Sequence, residues 1–266
     1  MIHPTAVIHP QARLGANVRV GPHAVIDADV VLGAECVVGP HVYLTGQTTI
    51  GARNKFHSGC VIGNIPQDLK YQGDPTRLRV GDDNTFREHV TVNCSTTMEG
   101  ETVLGSHILL MAGCHVGHDS VVGDHVIIAN CSALGGHVTV GDRTVLSACV
   151  VVHQFVRVGT LAMAQGGSAI SQDVPPFAMV HNGLNRLCGL NVVGLRRAGV
   201  PANERLELKQ VYHALFRSGK NLREAVAEAR EKFRTERARL FLDFVATSKR
   251  GVCRHTGATG ADGEEE

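Results

Sequence analysis

The stretch LGSHIL LMAGCH VGHDSV VGDHVI IANCSA LGGHVT, residues 104–139, falls into groups of six that each begin with an aliphatic residue. The same period continues without a slip to Ile170. A period of six matches neither an amphipathic helix nor a simple alternating strand. It is typical of a hexapeptide-repeat parallel β-helix, so we predict that one aliphatic side chain per hexad points into a central stack.

A glycine often follows the aliphatic residue, as at Gly105, Gly117, Gly123 and Gly135. We predict that these glycines sit where the chain turns a corner and needs a backbone conformation that glycine adopts easily. Three hexads would make one triangular coil of about 18 residues. Successive coils would then stack at the ~4.8 Å spacing of neighbouring strands.

The repeat also runs upstream of this stretch, from Ile8 to Ile62, and it resumes at Val80. Two polar breaks interrupt it, at residues 64–79 and at about 93–101, and neither changes the register of the hexads. Insertions in a repeat fold cluster on one face and often build the binding site. We therefore predict two loops ejected from an otherwise continuous coil.

The period of six ends at Val174-Pro175-Pro176, because proline lacks the N–H group that a strand needs. We predict a mainly β chain in four parts: a parallel β-helix over 1–176, a connector over 177–202, a C-terminal α-helical domain over 203–250 and a disordered tail over 251–266. Asn203 and Asn221 are the expected N-caps of the first two helices, and the third helix is expected at about 235–248.

Composition excludes several classes of protein. A formal net charge of +1 does not suit a nucleic-acid binder, and no apolar run reaches the length of a membrane span. The N-terminus does not resemble a signal peptide, so we expect a cytoplasmic protein without membrane insertion. The eight cysteines contain no CxxC pair, and we expect them to be reduced packing residues.

Histidines mark the candidate site. His118, His137 and His153 lie 19 and 16 residues apart, which predicts positions near one edge on three successive coils, with His115 beside His118. These histidines could simply be solvated, but Asp119 could fix an imidazole tautomer. Two chemistries remain open: a single histidine acting as general base, or zinc held by three imidazoles. The Gly135-Gly136 pair could present a backbone N–H to an oxyanion.

Six blocks of sequence resemble a known family, the cytoplasmic UDP-N-acetylglucosamine O-acyltransferases of lipid A biosynthesis. The blocks are QDLKY at 67–71, GDPTR at 73–77, HxxHD at 115–119, VHQF at 152–155, QDVPP at 172–176 and FRSGK at 216–220. The resemblance covers about residues 3–251. It implies a homotrimer of left-handed parallel β-helices with active sites between subunits. It also implies transfer of an acyl group, usually (R)-3-hydroxyacyl, from acyl carrier protein to the glucosamine 3-hydroxyl, with no metal and no other cofactor.

The resemblance also implies a role for individual residues. His118 matches the catalytic base, Asp119 the residue that orients it, and Gly136 the backbone N–H that stabilises the oxyanion. Matches to substrate-binding positions are Asp68, His115, His137, Gln154, Asn191 and Arg197, with His153 as another cleft residue and Lys70 as a contact to phosphate or carrier protein. Gly166 falls near the position that limits acyl length, where a glycine leaves room for a longer chain.

One four-residue stretch and two single residues depart from the family pattern. Asn182-Gly183-Leu184-Asn185 replaces the usual connector motif, Val193 stands where an acidic residue is expected, and Ala198 stands where the second of two arginines is expected. These departures leave a 3-amino sugar open as the acceptor. A zinc enzyme of the carbonic anhydrase type and an inactive scaffold remain alternatives. The related N-acyltransferase is disfavoured, because hexads beginning at Ile8 leave no room for its N-terminal uridine-binding domain.

Overall fold

The β-helix is the main body of the molecule. A computed structural model describes residues 1–255, and parallel strands pair with partners one coil further along the chain throughout 7–170. Within uninterrupted coils the offset is 18 residues, as in the pairing of Val121 with Thr139 and of Val122 with Val140. The prediction of a parallel β-helix with triangular coils is therefore confirmed.

Every third strand belongs to the same face of this triangular prism, so the first face begins with β1, the second with β2 and the third with β3. The strands are β1 (Val7–Ile8), β2 (Arg13–Leu14), β3 (Arg19–Val20), β4 (Val25–Ile26), β5 (Val31–Leu32), β6 (Val37–Val38), β7 (Tyr43–Leu44), β8 (Gln47–Ile50), β9 (Lys55–Phe56), β10 (Val61–Asn64), β11 (Arg77–Val80), β12 (Thr85–Phe86), β13 (Thr91–Asn93), β14 (Glu101–Leu104), β15 (Leu109–Leu110), β16 (His115–Val116), β17 (Val121–Val122), β18 (Ile127–Ile128), β19 (Ala133–Leu134), β20 (Thr139–Val140), β21 (Val145–Leu146), β22 (Val151–Val152), β23 (Arg157–Val158), β24 (Met163–Ala164) and β25 (Ser168–Ile170).

The hexad aliphatics fill the interior of the prism. Val116, Leu134 and Val152 are almost fully buried on successive coils, and the rings of Phe56 and Phe86 stack with centroids 4.7 Å apart. The residue two places before each aliphatic also points inward, and in most coils it is as deeply buried. Two inward positions per hexad thus supply a continuous apolar core, whose burial is the main favourable contribution to folding.

The glycines after the hexad aliphatics have a different role from the one predicted. Gly117 and Gly135 do not have positive φ angles; that conformation falls two residues later, at Asp119 (φ 57°) and His137 (φ 57°). A Cβ atom on Gly117 would lie 2.8 Å from the carbonyl carbon of Gly135 on the next coil. Close stacking of coils, and not the turn conformation, therefore requires glycine at these positions.

Both sequence breaks leave the coil at the same edge of the prism. Residues 65–76 connect β10 on the first face to β11 on the second, and residues 94–100 connect β13 to β14 across the same edge. We call this edge the loop edge. The pairing of β11 with β8 and β14 keeps all four residues in register, so the prediction of two loops that preserve the stack is confirmed.

After Ile170 the chain covers the end of the prism with short strands and helices. Residues 177–202, predicted as a connector, contain three strands and one helix. The elements that follow β25 are β26 (Ala178–Val180), β27 (Gly183–Leu184), β28 (Arg186–Leu190), α1 (Val192–Arg197), α2 (Ala202–Phe216), α3 (Leu222–Lys232), α4 (Glu236–Ala246) and β29 (Arg254–His255). Within residues 1–255, no helix combines the length and the apolar character needed to cross a membrane.

Two details of the C-terminal region differ from the predictions. Helix α2 begins at Ala202 with Pro201 as its N-cap, two residues earlier than an Asn203 cap implies. The predicted cap Asn221 does accept a hydrogen bond from the Arg223 N–H. The predicted disordered tail is wrong for 251–255, because Val252 and Cys253 are buried against the end of the coil and β29 pairs with β28. The rest of that tail, 256–266, lies outside the described residues.

Arg157 joins the helical domain to the β-helix. Its guanidinium donates to Asp173 Oδ2 at 3.0 Å and to the Phe244 carbonyl at 3.0 Å, and it lies over the Phe244 ring at 4.4 Å. The Asp173 side chain is only 2 % exposed and also accepts a hydrogen bond from Ser248. One planar cation therefore connects a β-helix carboxylate to helix α4.

We expect Arg157→Lys to lower the free energy of unfolding by about 1–3 kcal/mol, because an ammonium cannot reproduce these contacts and leaves a buried carboxylate poorly satisfied. Arg79→Lys is the matched control, since Arg79 pairs with Glu101 at an exposed site and should cost about 1 kcal/mol or less. Urea unfolding at equal protein concentration measures both. Equal midpoints for the two variants would contradict this role of Arg157.

Candidate active site

The candidate site lies on the loop edge, where three residues stack on successive coils. Asp119, His137 and Phe155 lie 18 residues apart and all have positive φ angles, between 57° and 65°. The rings of His137 and Phe155 stack with centroids 4.7 Å apart, and His137 Nε2 lies 3.7 Å from Asp119 Oδ2. The corner conformation turns these side chains outward, so the edge carries a column of functional groups.

His118 and Asp119 form the central pair of the site. His118 Nδ1 lies 2.8 Å from Asp119 Oδ2, and both side chains are only 10–12 % exposed. A carboxylate at this position favours the tautomer in which Nδ1 carries the proton and donates it to Asp119. Nε2 of His118 then keeps its lone pair and can accept a proton from a substrate.

The loop at 94–100 supplies three further hydrogen bonds to this pair. Ser95 Oγ donates to Asp119 Oδ1 at 2.5 Å, and the Thr96 N–H donates to Asp119 Oδ2 at 3.0 Å. The Thr96 hydroxyl lies 2.8 Å from His118 Nδ1 and can act as a second acceptor for its proton. The loop that interrupts the repeat thus closes over the His118–Asp119 pair.

These contacts keep Asp119 ionised. Burial alone would raise the pKa of the Asp119 carboxyl, but hydrogen bonds from Ser95, His118 and the Thr96 N–H outweigh it and hold the pKa below its usual range. At His115, burial and the neighbouring His118 both lower the pKa, so this imidazole is neutral more readily than an exposed one. His115 is placed by a 2.8 Å contact between its Nδ1 and the Thr91 hydroxyl.

Gly136 lies directly above His118, one coil further along. A Cβ atom there would be 2.4 Å from both Nε2 and Cε1 of the imidazole, so only glycine leaves space for the ring. The Gly136 carbonyl accepts from the Phe155 N–H, whereas the Gly136 N–H donates to no group among residues 1–255. A backbone donor without a partner beside Nε2 is suited to stabilise a developing oxyanion.

The sequence predicts His118, His137 and His153 on one edge of three successive coils, and the structure differs at the third of them. The structure brings His118 and His137 together, with ring centroids 5.2 Å apart, but Phe155 occupies the next coil in place of His153. His153 lies instead at the stacking position above Gly135 and accepts from Arg250 at 3.3 Å. Gln154 is exposed beside it. The spacings of 19 and 16 differ from 18, and these differences move His153 out of the column.

The other loop of the same edge carries Asp68 and Lys70. Asp68 accepts a hydrogen bond from the Lys70 N–H, which forms a local turn, and the Lys70 side chain is exposed without an ion pair among residues 1–255. The base of the loop is held by Asn93, which donates to the Ile65 carbonyl. Asp68 and Lys70 therefore lie on the same edge as His118, although no described contact joins either of them to His118.

Three predicted site residues lie on other edges of the prism. Asn191 caps helix α1 by accepting from the Gly194 N–H and donates to the Leu161 carbonyl, so both Oδ1 and Nδ2 make a hydrogen bond within the chain. Arg197, at the end of the same helix, is exposed. Both lie over the edge between the second and third faces. Gly166 lies on the edge between the third and first faces, where a Cβ atom would meet only the Ala148 carbonyl oxygen at 3.2 Å.

The site offers a metal ion only two imidazoles among the residues described, whereas the predicted zinc site needs three. Among the residues described, His118, Asp119 and His137 have ligand atoms within 4.8 Å of one another. An ion bound to His118 Nδ1 would displace the hydrogen bond to Asp119. The candidate ligands are thus two imidazoles and one carboxylate, and His118 Nδ1 already makes a hydrogen bond to Asp119.

Sequence reasoning did not identify Ser95, Thr96, Asn93 or Phe155. Phe155 follows from two successive offsets of 18 counted from Asp119, the first of which reaches His137. Ser95, Thr96 and Asn93 lie in or beside a loop, where the period of six gives no information on contacts. The Asn93 Oδ1 atom is buried and has no hydrogen-bond partner among residues 1–255.

Comparisons with known proteins show which family this chain resembles. A family model described as UDP-N-acetylglucosamine O-acyltransferase, domain 2, matches residues 173–253. The acyl-[acyl-carrier-protein]–UDP-N-acetylglucosamine O-acyltransferase of Myxococcus xanthus is 48 % identical over 95 % of this chain and 99 % of its own length. The protein of the same name from Syntrophobacter fumaroxidans is 45 % identical over the same shares.

Solved structures extend the similarity to three dimensions. The UDP-N-acetylglucosamine acyltransferase of Francisella novicida superposes with a TM-score of 0.92 at 34 % identity, covering 97 % of this chain and 95 % of that one. The Acinetobacter baumannii structure gives 0.91 at 35 % identity, with 95 % and 99 % covered. The predicted left-handed parallel β-helix with C-terminal helices is thereby confirmed.

Proposed function

The chain belongs to the family of acyl-[acyl-carrier-protein]–UDP-N-acetylglucosamine O-acyltransferases, and we propose that His118 is the general base of this acyl transfer. The enzyme moves an acyl group from acyl carrier protein to UDP-N-acetylglucosamine, the first step of lipid A biosynthesis. The observation that carries the proposal is the buried pair of His118 and Asp119, with Nε2 facing the side-chain-free position of Gly136.

The proposed reaction uses one proton carrier and one backbone donor. His118 Nε2 takes the proton of the sugar 3-hydroxyl as that oxygen attacks the thioester carbonyl carbon. The Gly136 N–H stabilises the negative charge on the carbonyl oxygen, and Asp119 stabilises the imidazolium. When the C–S bond breaks, His118 returns the proton to the departing thiolate, so an ester and a carrier thiol leave. The thioester is already activated, and no step requires a metal or another cofactor.

We assign the remaining residues of the loop edge to substrate binding. His115, His137 and Gln154 present polar groups along the edge for the sugar nucleotide, with His153 at its rim. Asp68 is the further contact on the long loop, and exposed Lys70 offers a cation to a diphosphate or to the carrier protein. The assignment is supported by their position, since all of them lie on or beside the loop edge that carries His118.

We propose that the active enzyme is a homotrimer in which neighbouring subunits share each site. Asn191, Arg197 and Gly166 lie on edges other than that of His118, so one chain cannot present all of them to one ligand. Apolar side chains beside the loop edge support a subunit contact there: Val151 is 50 % exposed and Val121 is 42 % exposed. In this arrangement Asn191 acts by holding α1, whose Arg197 reaches a neighbouring site.

We also place the enzyme in the cytoplasm. None of the eight cysteines forms a disulfide, which is the state expected in a reducing compartment. The donor, acyl carrier protein, and the acceptor, a nucleotide sugar, are both water-soluble. No partner in the proposed reaction is a nucleic acid or requires membrane insertion.

Gly166 is the proposed limit on acyl length, and we expect Gly166→Met to shift the enzyme towards shorter chains. An added Cβ at Gly166 would meet only the Ala148 carbonyl oxygen, so a methionine side chain would fill the open space beside it. Each methylene of the acyl chain that is excluded from an apolar groove weakens acyl binding by about 0.8 kcal/mol. Rates with (R)-3-hydroxyacyl carrier proteins of several lengths measure the shift. An unchanged length preference in a folded variant would contradict the assignment.

The identity of the acceptor is tested by competition. Purified protein is given an (R)-3-hydroxyacyl carrier protein with UDP-N-acetylglucosamine and its 3-amino analogue, and products are identified by mass. We expect the O-acylated sugar, in spite of Val193 and Ala198. An amide as the sole product would change the acceptor to a 3-amino sugar. No product from either acceptor would defeat the proposed function.

A further inference from the structure

Ser95 lies in the loop at 94–100 and has no access to a substrate. It is fully buried, with 0 % exposure. Its N–H donates to the Arg77 carbonyl, and the Arg77 guanidinium donates to the Met98 carbonyl further along the loop. Arg77 thus holds the loop twice, through its carbonyl at Ser95 and through its side chain at Met98. The hydroxyl is the group that Ser95 offers to the site.

That hydroxyl has one proton and two candidate acceptors. Asp119 Oδ1 lies at 2.5 Å and the Thr97 carbonyl at 3.0 Å, while the Thr97 N–H approaches from 3.3 Å as a donor. A hydrogen bond to a carboxylate is stronger than one to a neutral carbonyl. The Ser95 proton therefore goes to Asp119, and the Thr97 N–H occupies a lone pair of the hydroxyl oxygen.

The carboxylate of Asp119 has a choice between two imidazoles. Its Oδ2 atom lies 2.8 Å from His118 Nδ1 and 3.7 Å from His137 Nε2. A partial rotation about the Cβ–Cγ bond would move Oδ2 away from His118 Nδ1 and weaken that contact. Ser95 holds Oδ1 and so prevents this rotation, and Gly100 closes the same side, where a Cβ atom would meet both Ser95 Oγ and Asp119 Oδ1.

We propose that Ser95 is a positioning residue: it orients the Asp119 carboxylate towards His118 rather than His137, and so sets the direction of the His118 lone pair. This inference rests on the proposed role of His118 as base. The contacts predict that loss of the Ser95 hydroxyl affects the chemical step and not the binding of the acceptor.

The test compares Ser95→Ala with Thr97→Ala, which removes an exposed hydroxyl from the same loop. We expect Ser95→Ala to lower kcat about 10- to 100-fold, the loss typical of a hydrogen bond to a charged group, with KM for UDP-N-acetylglucosamine within about twofold of wild type. Thr97→Ala should retain wild-type kcat. Circular dichroism and trimer mass check that both variants fold.

A double variant separates positioning from a merely structural role. If Ser95 acts through Asp119, Ser95→Ala should cost little further rate in an Asp119→Ala background, because the group it orients is gone. Full additivity of the two losses would overturn the inference, as would wild-type kcat in Ser95→Ala. A wild-type enzyme without acyl transfer would instead overturn the proposed function, so the two failures are distinguishable.

Discussion

His118→Ala should reduce kcat by about 10²–10⁴-fold while leaving the β-helix and its assembly unchanged. The loss follows from removing the group that takes the hydroxyl proton, since no other side chain described places a free lone pair at this point of the edge. Initial rates with acyl carrier protein thioester and UDP-N-acetylglucosamine measure the loss. The core does not depend on this ring, because the buried residue of the same hexad is Val116.

His57→Ala is the control for this prediction, because His57 is a partly exposed histidine on another edge that contacts Glu88 at 3.5 Å. It should retain wild-type rate. Near-wild-type activity of His118→Ala, or a loss that parallels unfolding in circular dichroism, would contradict the assignment of His118 as base.

Gly136→Ala should reduce kcat/KM by about 100-fold with a smaller effect on stability. An added Cβ would lie 2.4 Å from the His118 ring, and the ring cannot move without breaking its contacts to Asp119 and Thr96. Displacement of a catalytic group by about 1 Å is enough for a loss of this size. Steady-state kinetics and the thermal midpoint, measured on the same preparation, separate the two effects.

Gly21→Ala provides the comparison for Gly136→Ala, because its Cβ would meet backbone atoms of the next coil at 3.0 Å, far from the site. It should cost stability with no loss of rate per folded enzyme. Full activity of a folded Gly136→Ala enzyme would show that the imidazole is not confined as described.

The repeat made the core and the topology predictable, because a period of six assigns each residue to a coil, a face and a direction. Val116, Leu134 and Val152 were placed in the interior by counting alone. The same counting places His118 and His137 on one edge. It fails at His153, which lies two residues before the corner position of Phe155 and stacks instead above Gly135. Phe155 occupies the predicted level instead.

Contacts made by loops could not be predicted in this way. Ser95 and Thr96 reach Asp119 across 24 and 23 residues of chain, and no periodicity links a loop to the coil above it. The role of the glycines also differs from the predicted one, because the sequence does not separate close stacking from a positive φ angle. At Gly117 the next coil excludes a side chain, whereas the positive φ angle belongs to Asp119.

Addition of imidazole to His118→Ala tests most directly whether this side chain acts as a base. Removal of the ring leaves a space bounded by Asp119, Thr96 and Gly136, and a free imidazole in that space could accept the hydroxyl proton. We predict that the rate of acyl transfer rises with the concentration of neutral imidazole and that the same additions leave wild type unchanged. A folded variant that binds the acceptor normally and does not respond to imidazole at any pH would contradict the account.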